Sequence, residues 1–241
     1  MSKIYDALKR AERERELARD KFQELGSPSP EEPLSPDGRE QDDYRRLRAT
    51  LLFTPAYSNI HTILLTATRH GEGTTRVAMG LAKALAAEGG TRVLLVEANL
   101  RTPSFRERLP LNSGPGLSDF LAGQAGVDAV VTQMEDLNLS VVHAGSKVAV
   151  VDCEAIASGL ARLSPAFDFV IVDAPPVNRY ADVSVLAPKV DGVILVVEAD
   201  HTPVVDAETA KRNLDRVGAR IFGVVLNRRR SYVPAALQAL L

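Results

Sequence analysis

The sequence predicts an α/β domain, a three-layer sandwich with helices on both faces of a mostly parallel sheet. Three observations predict it. Residues 61–67, 92–98, 169–173 and 192–198 form short apolar runs without alternation, as strands covered on both faces do. Between them lie segments with apolar residues at helical spacing, such as Val77, Leu81, Ala84 and Leu85. The first run also ends in a glycine-rich turn that opens a helix, the order of a strand-turn-helix unit in a parallel sheet.

The elements follow in order. Residues 1–25 are rich in Arg, Lys, Glu and Ala, with Ile4, Leu8 and Ala11 at helical spacing, which predicts a charged N-terminal helix. Residues 26–41 hold four prolines with serines and acidic residues and no periodicity, the composition of a flexible linker. The globular domain is expected over 42–241. It opens on a helix from Asp42, with Tyr44, Leu47 and Leu51 on one face. Strands are predicted at 61–67, 92–98, 139–144, 169–173, 192–198 and 221–226. Helices are predicted at 76–88, 116–122, 127–132, 154–163, 182–186 and 204–217.

Bulk properties exclude several classes. The chain has 241 residues and a formal charge of −2, so no general case for nucleic acid or an anionic membrane exists. Cys153 is the single cysteine, which rules out a disulfide within this chain. No apolar run nears the roughly 20 residues that cross a bilayer, and the first residues are charged and periodic, unlike a secretory signal. A soluble, cytoplasmic protein is expected. His61, His143 and His201 form no zinc spacing with Cys153.

The chemistry-bearing segment is Thr68-Arg69-His70-Gly71-Glu72-Gly73-Thr74-Thr75, placed between a strand and a helix as a phosphate loop is. Glycines there let backbone N–H groups converge on phosphate oxygens, and the helix dipole adds positive potential. Against G-x-x-x-x-G-K-[ST], Gly73 is the second glycine and Thr75 the magnesium hydroxyl, but Thr74 stands at the lysine position. That lysine is a point charge on the outer phosphates, so its loss weakens binding and removes charge stabilisation during transfer. Arg69 or Arg76 could replace the charge or could be surface arginines, and His70 could donate to an anion or be a solvated turn residue.

Two further strands end in acids. Val93-Leu94-Leu95-Val96-Glu97-Ala98-Asn99-Leu100-Arg101-Thr102-Pro103 resembles the second Walker motif of the bacterial tyrosine autokinases of capsule and exopolysaccharide biosynthesis, an apolar strand followed by D-x-D-x-R. Phe167-Asp168-Phe169-Val170-Ile171-Val172-Asp173-Ala174-Pro175-Pro176 resembles their Walker B strand and turn. Similarity extends to Asp42-Asp43-Tyr44-Arg45-Arg46-Leu47-Arg48, like the family's E-x-x-R-x-x-R oligomerisation helix, and to Gly223-Val224-Val225-Leu226-Asn227.

The resemblance implies a P-loop NTPase fold of the deviant Walker type, here with an added N-terminal helix and linker. It implies that Gly71, Glu72, Gly73, Thr74 and Thr75 bind the phosphates of ATP or ADP, that Thr75 and Asp173 hold Mg²⁺, and that Asn227 meets the base. Glu97, Arg101 and Asp173 take the catalytic positions, Glu97 on a longer arm than aspartate. It implies a membrane adaptor or co-polymerase of polysaccharide export as partner, with recruitment to the inner face of the membrane, and a homo-oligomer formed through Asp42, Arg45 and Arg48. Three departures weigh against chemistry: Thr74 for lysine, Asn99 where an acid stands, and Tyr232 alone in place of a terminal tyrosine cluster. A regulatory or scaffolding pseudokinase is therefore expected, with an active tyrosine autokinase as alternative. A partitioning ATPase on the same fold is the third reading, disfavoured because 67–70 contain no signature lysine.

Overall fold

The computed structural model describes residues 36–54, 60–87, 89–145 and 152–229. The expectations for the N-terminal helix, for Tyr232 and for most of the linker lie outside the described residues. Helix α1 spans Pro36–Phe53, followed by β1 (Thr62–Ala67), α2 (Thr74–Ala86), β2 (Val93–Glu97), α3 (Phe105–Arg108), α4 (Leu117–Leu121) and α5 (Val127–Val130). Then come β3 (Thr132–Met134), β4 (Leu139–Val142), α6 (Cys153–Leu163), β5 (Phe169–Asp173), α7 (Asp182–Leu186), β6 (Gly192–Glu198), α8 (Val204–Arg216) and β7 (Ile221–Asn227). The seven strands lie in the order β3-β4-β2-β5-β1-β6-β7. All neighbours are parallel except β3, which pairs antiparallel with β4 at one edge.

Burial on both faces explains the unbroken apolar strands. Leu64, Leu94, Val96 and Val172 pack on one side against Phe120 of α4, Leu160 of α6, Leu186 of α7 and Leu214 of α8. Their chain neighbours Ile63, Leu65, Leu95 and Ile171 face the other way, against Leu51 of α1, Leu81 and Leu85 of α2, and Phe105 of α3. The result is the expected three-layer sandwich. All strands except β3 run the same way, so their carboxyl ends share one edge, where β1 opens into the glycine turn and β5 ends on Asp173.

Two boundaries differ from expectation. Residues 36–41, assigned above to the linker, are helical. Proline at the first helical position has a preset φ and no N–H to satisfy, and Arg76 of α2 donates to Glu40 from Nε at 2.8 Å, holding the helix start to its neighbour. The helical segment expected over 127–132 stops at Val130, because Thr132–Met134 pairs with β4 instead.

Contact between α1 and α2 depends on Gly80. A Cβ there would lie 2.1 Å from the Tyr44 ring, so the bare backbone is what lets the phenol lie flat on α2. Burial, with the Glu40 charge beside it, pushes the Tyr44 hydroxyl up to about 12. Gly80→Ala should therefore strip amide-exchange protection from 36–53: overpacking costs about 1–3 kcal/mol, against about 1 kcal/mol gained in helix propensity. Protection unchanged across 36–53 would contradict this packing account.

Candidate functional site

The turn between β1 and α2 is built to keep its shape. Gly71 and Gly73 both have φ near +89°, a region that costs other residues strain, and a Cβ on Gly73 would meet the Asn227 side chain at 2.1 Å. Beneath the turn, the buried Glu72 carboxylate accepts from Thr68 N at 2.8 Å, Thr68 Oγ1 at 2.7 Å and Arg69 N at 3.0 Å, and from the Thr202 hydroxyl beyond β6. From the end of β7, Asn227 Nδ2 donates to Glu72 O at 2.8 Å. The loop is thus braced from below and from the side. Glu72 can offer a phosphate only its backbone, while the Asn227 amide, expected at the base, lines the cavity with one N–H given to Glu72 O and its Oδ1 accepting from Arg228 N.

Thr74 is the first residue of α2 and lines the cavity over the loop together with Gly71, Gly73 and Thr75. Thr75 donates from Oγ1 to Asp173 Oδ2 at 2.8 Å, while Asp173 Oδ1 is buried without a hydrogen-bond partner. Burial pushes the Asp173 carboxyl up to about 7, partly offset by the Thr75 bond. A hydroxyl, a carboxylate and an orphaned buried oxygen at a helix start form an oxygen donor set of the kind Mg²⁺ takes alongside water and phosphate. The residues present fit that ion. Thr75 and Asp173 would hold it, and it would neutralise charge on phosphate oxygens.

Glu97 and Arg101, expected in catalysis, lie away from the cavity. Glu97, beside Asp173 across the β2–β5 pair, is buried, and its Oε1 accepts from Ser104 N and Phe105 N while Oε2 accepts from Ala144 N at 2.9 Å. Its longer arm reaches past the strand end to those amides, so it braces α3 and β4 rather than facing the cavity. Burial nevertheless pushes its carboxyl up, against the pull of those N–H groups. Arg101 is held by Asp182 through two bonds of 2.9 Å and stacks over Tyr180 at 4.7 Å, away from the cavity. Arg69 pairs with Asp206 of α8 and Arg76 with Glu40 of α1, both on the cavity wall. His70 meets the Tyr180 hydroxyl at 3.1 Å, and Asn99 bonds Thr102. Sequence reasoning missed Arg108, the last residue of α3, which lines the cavity; no motif covers it.

Fold and site together define a domain with a phosphate-loop fold whose loop lacks the lysine. No family model matches the chain. Relatives include tyrosine-protein kinase YwqD of Bacillus subtilis, 26% identical over 196 residues that cover 80% of this chain and 82% of YwqD. Tyrosine-protein kinase CpsD of Streptococcus pneumoniae is 29% identical over 174 residues, 69% of this chain and 75% of CpsD. Among solved structures, the VpsO kinase domain is 30% identical with a TM-score of 0.71, covering 80% of this chain and 97% of that one. The chimerical protein CapA2B2 is 28% identical with a TM-score of 0.74, over 83% and 88%. The chain belongs to the bacterial tyrosine-kinase family.

The raised Asp173 carboxyl has a definite pH consequence. Folded, metal-free protein holds this proton more tightly than the unfolded chain, so stability falls as pH rises from about 4 through 7. Asp173→Asn should stabilise the metal-free protein at pH 8 by up to roughly 4 kcal/mol, with the difference vanishing near pH 4. Urea unfolding in chelator at both pH values measures it. A variant less stable than wild type at pH 8 would show that Asp173 is not held in a charge-hostile site.

Proposed function

We propose that the chain is a regulatory or scaffolding pseudokinase of capsule or exopolysaccharide synthesis that retains a Mg²⁺-nucleotide site and transfers phosphate poorly or not at all. One observation carries the reading: the Thr75–Asp173 pair is intact with one carboxylate oxygen unpartnered, while position 74 offers no cation and Arg69 and Arg76 are ion-paired with Asp206 and Glu40. Binding needs the loop backbone, the helix N-terminus and the metal ligands. Transfer needs more. A lysine between the outer phosphates stabilises charge that develops only during reaction, and a base must take the hydroxyl proton of the attacking tyrosine. Glu97 spends both oxygens on backbone N–H groups, and Asn99 is an amide.

Phosphotyrosine mass spectrometry of purified protein after incubation with Mg²⁺-ATP should find little or no modification. Efficient autophosphorylation that Asp173→Ala abolishes would overturn the pseudokinase reading in favour of an active autokinase. Thr74→Lys should tighten Mg²⁺-ATP binding by roughly 1–3 kcal/mol, the worth of a charge-assisted hydrogen bond.

The partner in this reading is a membrane adaptor of polysaccharide export, with self-association through α1. Asp42, Arg45 and Arg48 lie on that helix at three-residue spacing, and Arg45 already donates to Asp42 at 2.8 Å. Exposed pairs of this kind contribute little on their own, so their value would lie in an opposing surface. Light scattering of wild type against Arg45→Glu/Arg48→Glu should show a smaller assembly for the variant. Identical masses and identical adaptor affinity would leave α1 as a surface helix.

A further inference from the structure

The cavity over the phosphate loop is lined by Arg69, Arg76, Arg108, Arg228 and Arg229. Three of these charges are committed: Arg69 to Asp206, Arg76 to Glu40, and Arg228 to Glu198 at 3.1 Å. Arg108 and Arg229 make no ion pair among the described residues. Their positions differ. Arg229 follows β7, which is separated from β5 by β6 and β1, whereas Arg108 follows β2, the direct neighbour of β5 and Asp173.

Arg108 is held in place from behind. Phe105, at the other end of the single turn α3, is fully buried in the core, and Glu97 Oε1 accepts the N–H groups of both Ser104 and Phe105. The carboxylate that the family pattern places in chemistry thus fixes the turn that carries the arginine. The guanidinium itself is exposed on the cavity wall, with no structural duty among the described residues.

We propose that Arg108 is the phosphate-binding cation of this site, engaging the terminal phosphate of a Mg²⁺-bound nucleoside triphosphate from the β2 side. This rests on the nucleotide-binding reading above. The glycine turn and the start of α2 suit phosphate oxygens, and Thr75 and Asp173 would hold the metal. Arg108 stands on the cavity wall on the β2 side, one strand over from Asp173, and is assigned the outermost phosphate. A planar guanidinium matches two oxygens of one phosphate, but a charge at the terminal group does not bridge the bond to be broken as the lysine does.

Calorimetric titration of the full chain with Mg²⁺-ATP and Mg²⁺-ADP, for wild type, Arg108→Ala, Arg108→Lys and Arg229→Ala, tests this. Arg108→Ala should weaken Mg²⁺-ATP about 10- to 100-fold, the range for a charged hydrogen bond, and Mg²⁺-ADP much less. Arg108→Lys should recover most of the loss, and the nucleotide-free melting temperature should be unchanged in each exposed-site variant. Equal Mg²⁺-ATP affinity for wild type and Arg108→Ala, or a loss confined to Arg229→Ala, overturns the assignment and leaves the nucleotide site standing. An equal loss for ATP and ADP overturns the terminal-phosphate placement. A wild type that binds neither nucleotide removes the nucleotide reading itself, and this inference with it.

Discussion

The hydrogen bond from Thr75 to Asp173 joins the start of α2 to the end of β5 across the phosphate loop, and the geometry of the site follows from it. It fixes the first turn of the helix against the sheet. It also leaves the second carboxylate oxygen buried and unmet, a state that costs the free protein stability. The surrounding backbone keeps that state in place: Ala174 N bonds Leu65 O, Val177 N bonds Ala67 O, and the buried Thr66 hydroxyl bonds Pro175 O. The loop after β5 therefore cannot swing to satisfy Asp173 itself.

The carboxylates of Glu72, Glu97 and Asp173 are buried around the phosphate loop at this edge of the sheet. Burying an anion is costly unless hydrogen bonds compensate, and the three meet the demand unequally. Glu72 takes bonds from the Thr68 and Arg69 amides and from the Thr68 and Thr202 hydroxyls, and Glu97 takes three backbone N–H groups. Both are settled within the protein and act as braces. Asp173 has a single partner, so the demand for an external cation falls on it alone.

Much of this was legible in the sequence. Unbroken apolar runs such as Val170 to Val172 mark strands covered on both faces, and the glycines at 71 and 73 mark a turn needing positive φ; local chemistry decides both. Short elements were not legible. The three residues of β3 and four of α3 are too few to show a period, and they form because β4 offers a free edge and because Glu97 holds the amides of α3. For the same reason Arg108 escaped notice, since its place in the site is set by a carboxylate eleven residues earlier and by the β2–β5 pairing. The fates of Arg69 and Arg76 were equally nonlocal: their partners, Asp206 and Glu40, lie 137 residues ahead and 36 residues behind.

A site that binds without reacting can still do work through linkage. A ligand that binds only the folded protein stabilises it by about 2.7 kcal/mol at a hundred times its dissociation constant, and this needs no lysine and no base. Contacts already lead from the loop toward the surface. His70 in the turn meets Tyr180, on which Arg101 stacks, and Arg101 is clamped to Asp182 at the start of α7. On the other side, Arg76 in the first turn of α2 carries Glu40 and α1. Order imposed on the phosphate loop by the proposed nucleotide would therefore be shared with two helices that border it, one of them carrying Asp42, Arg45 and Arg48. On the proposed reading catalysis and assembly would make separate demands on this fold: the first would require charge at position 74, and the second only that the loop, α1 and α7 be held as a unit.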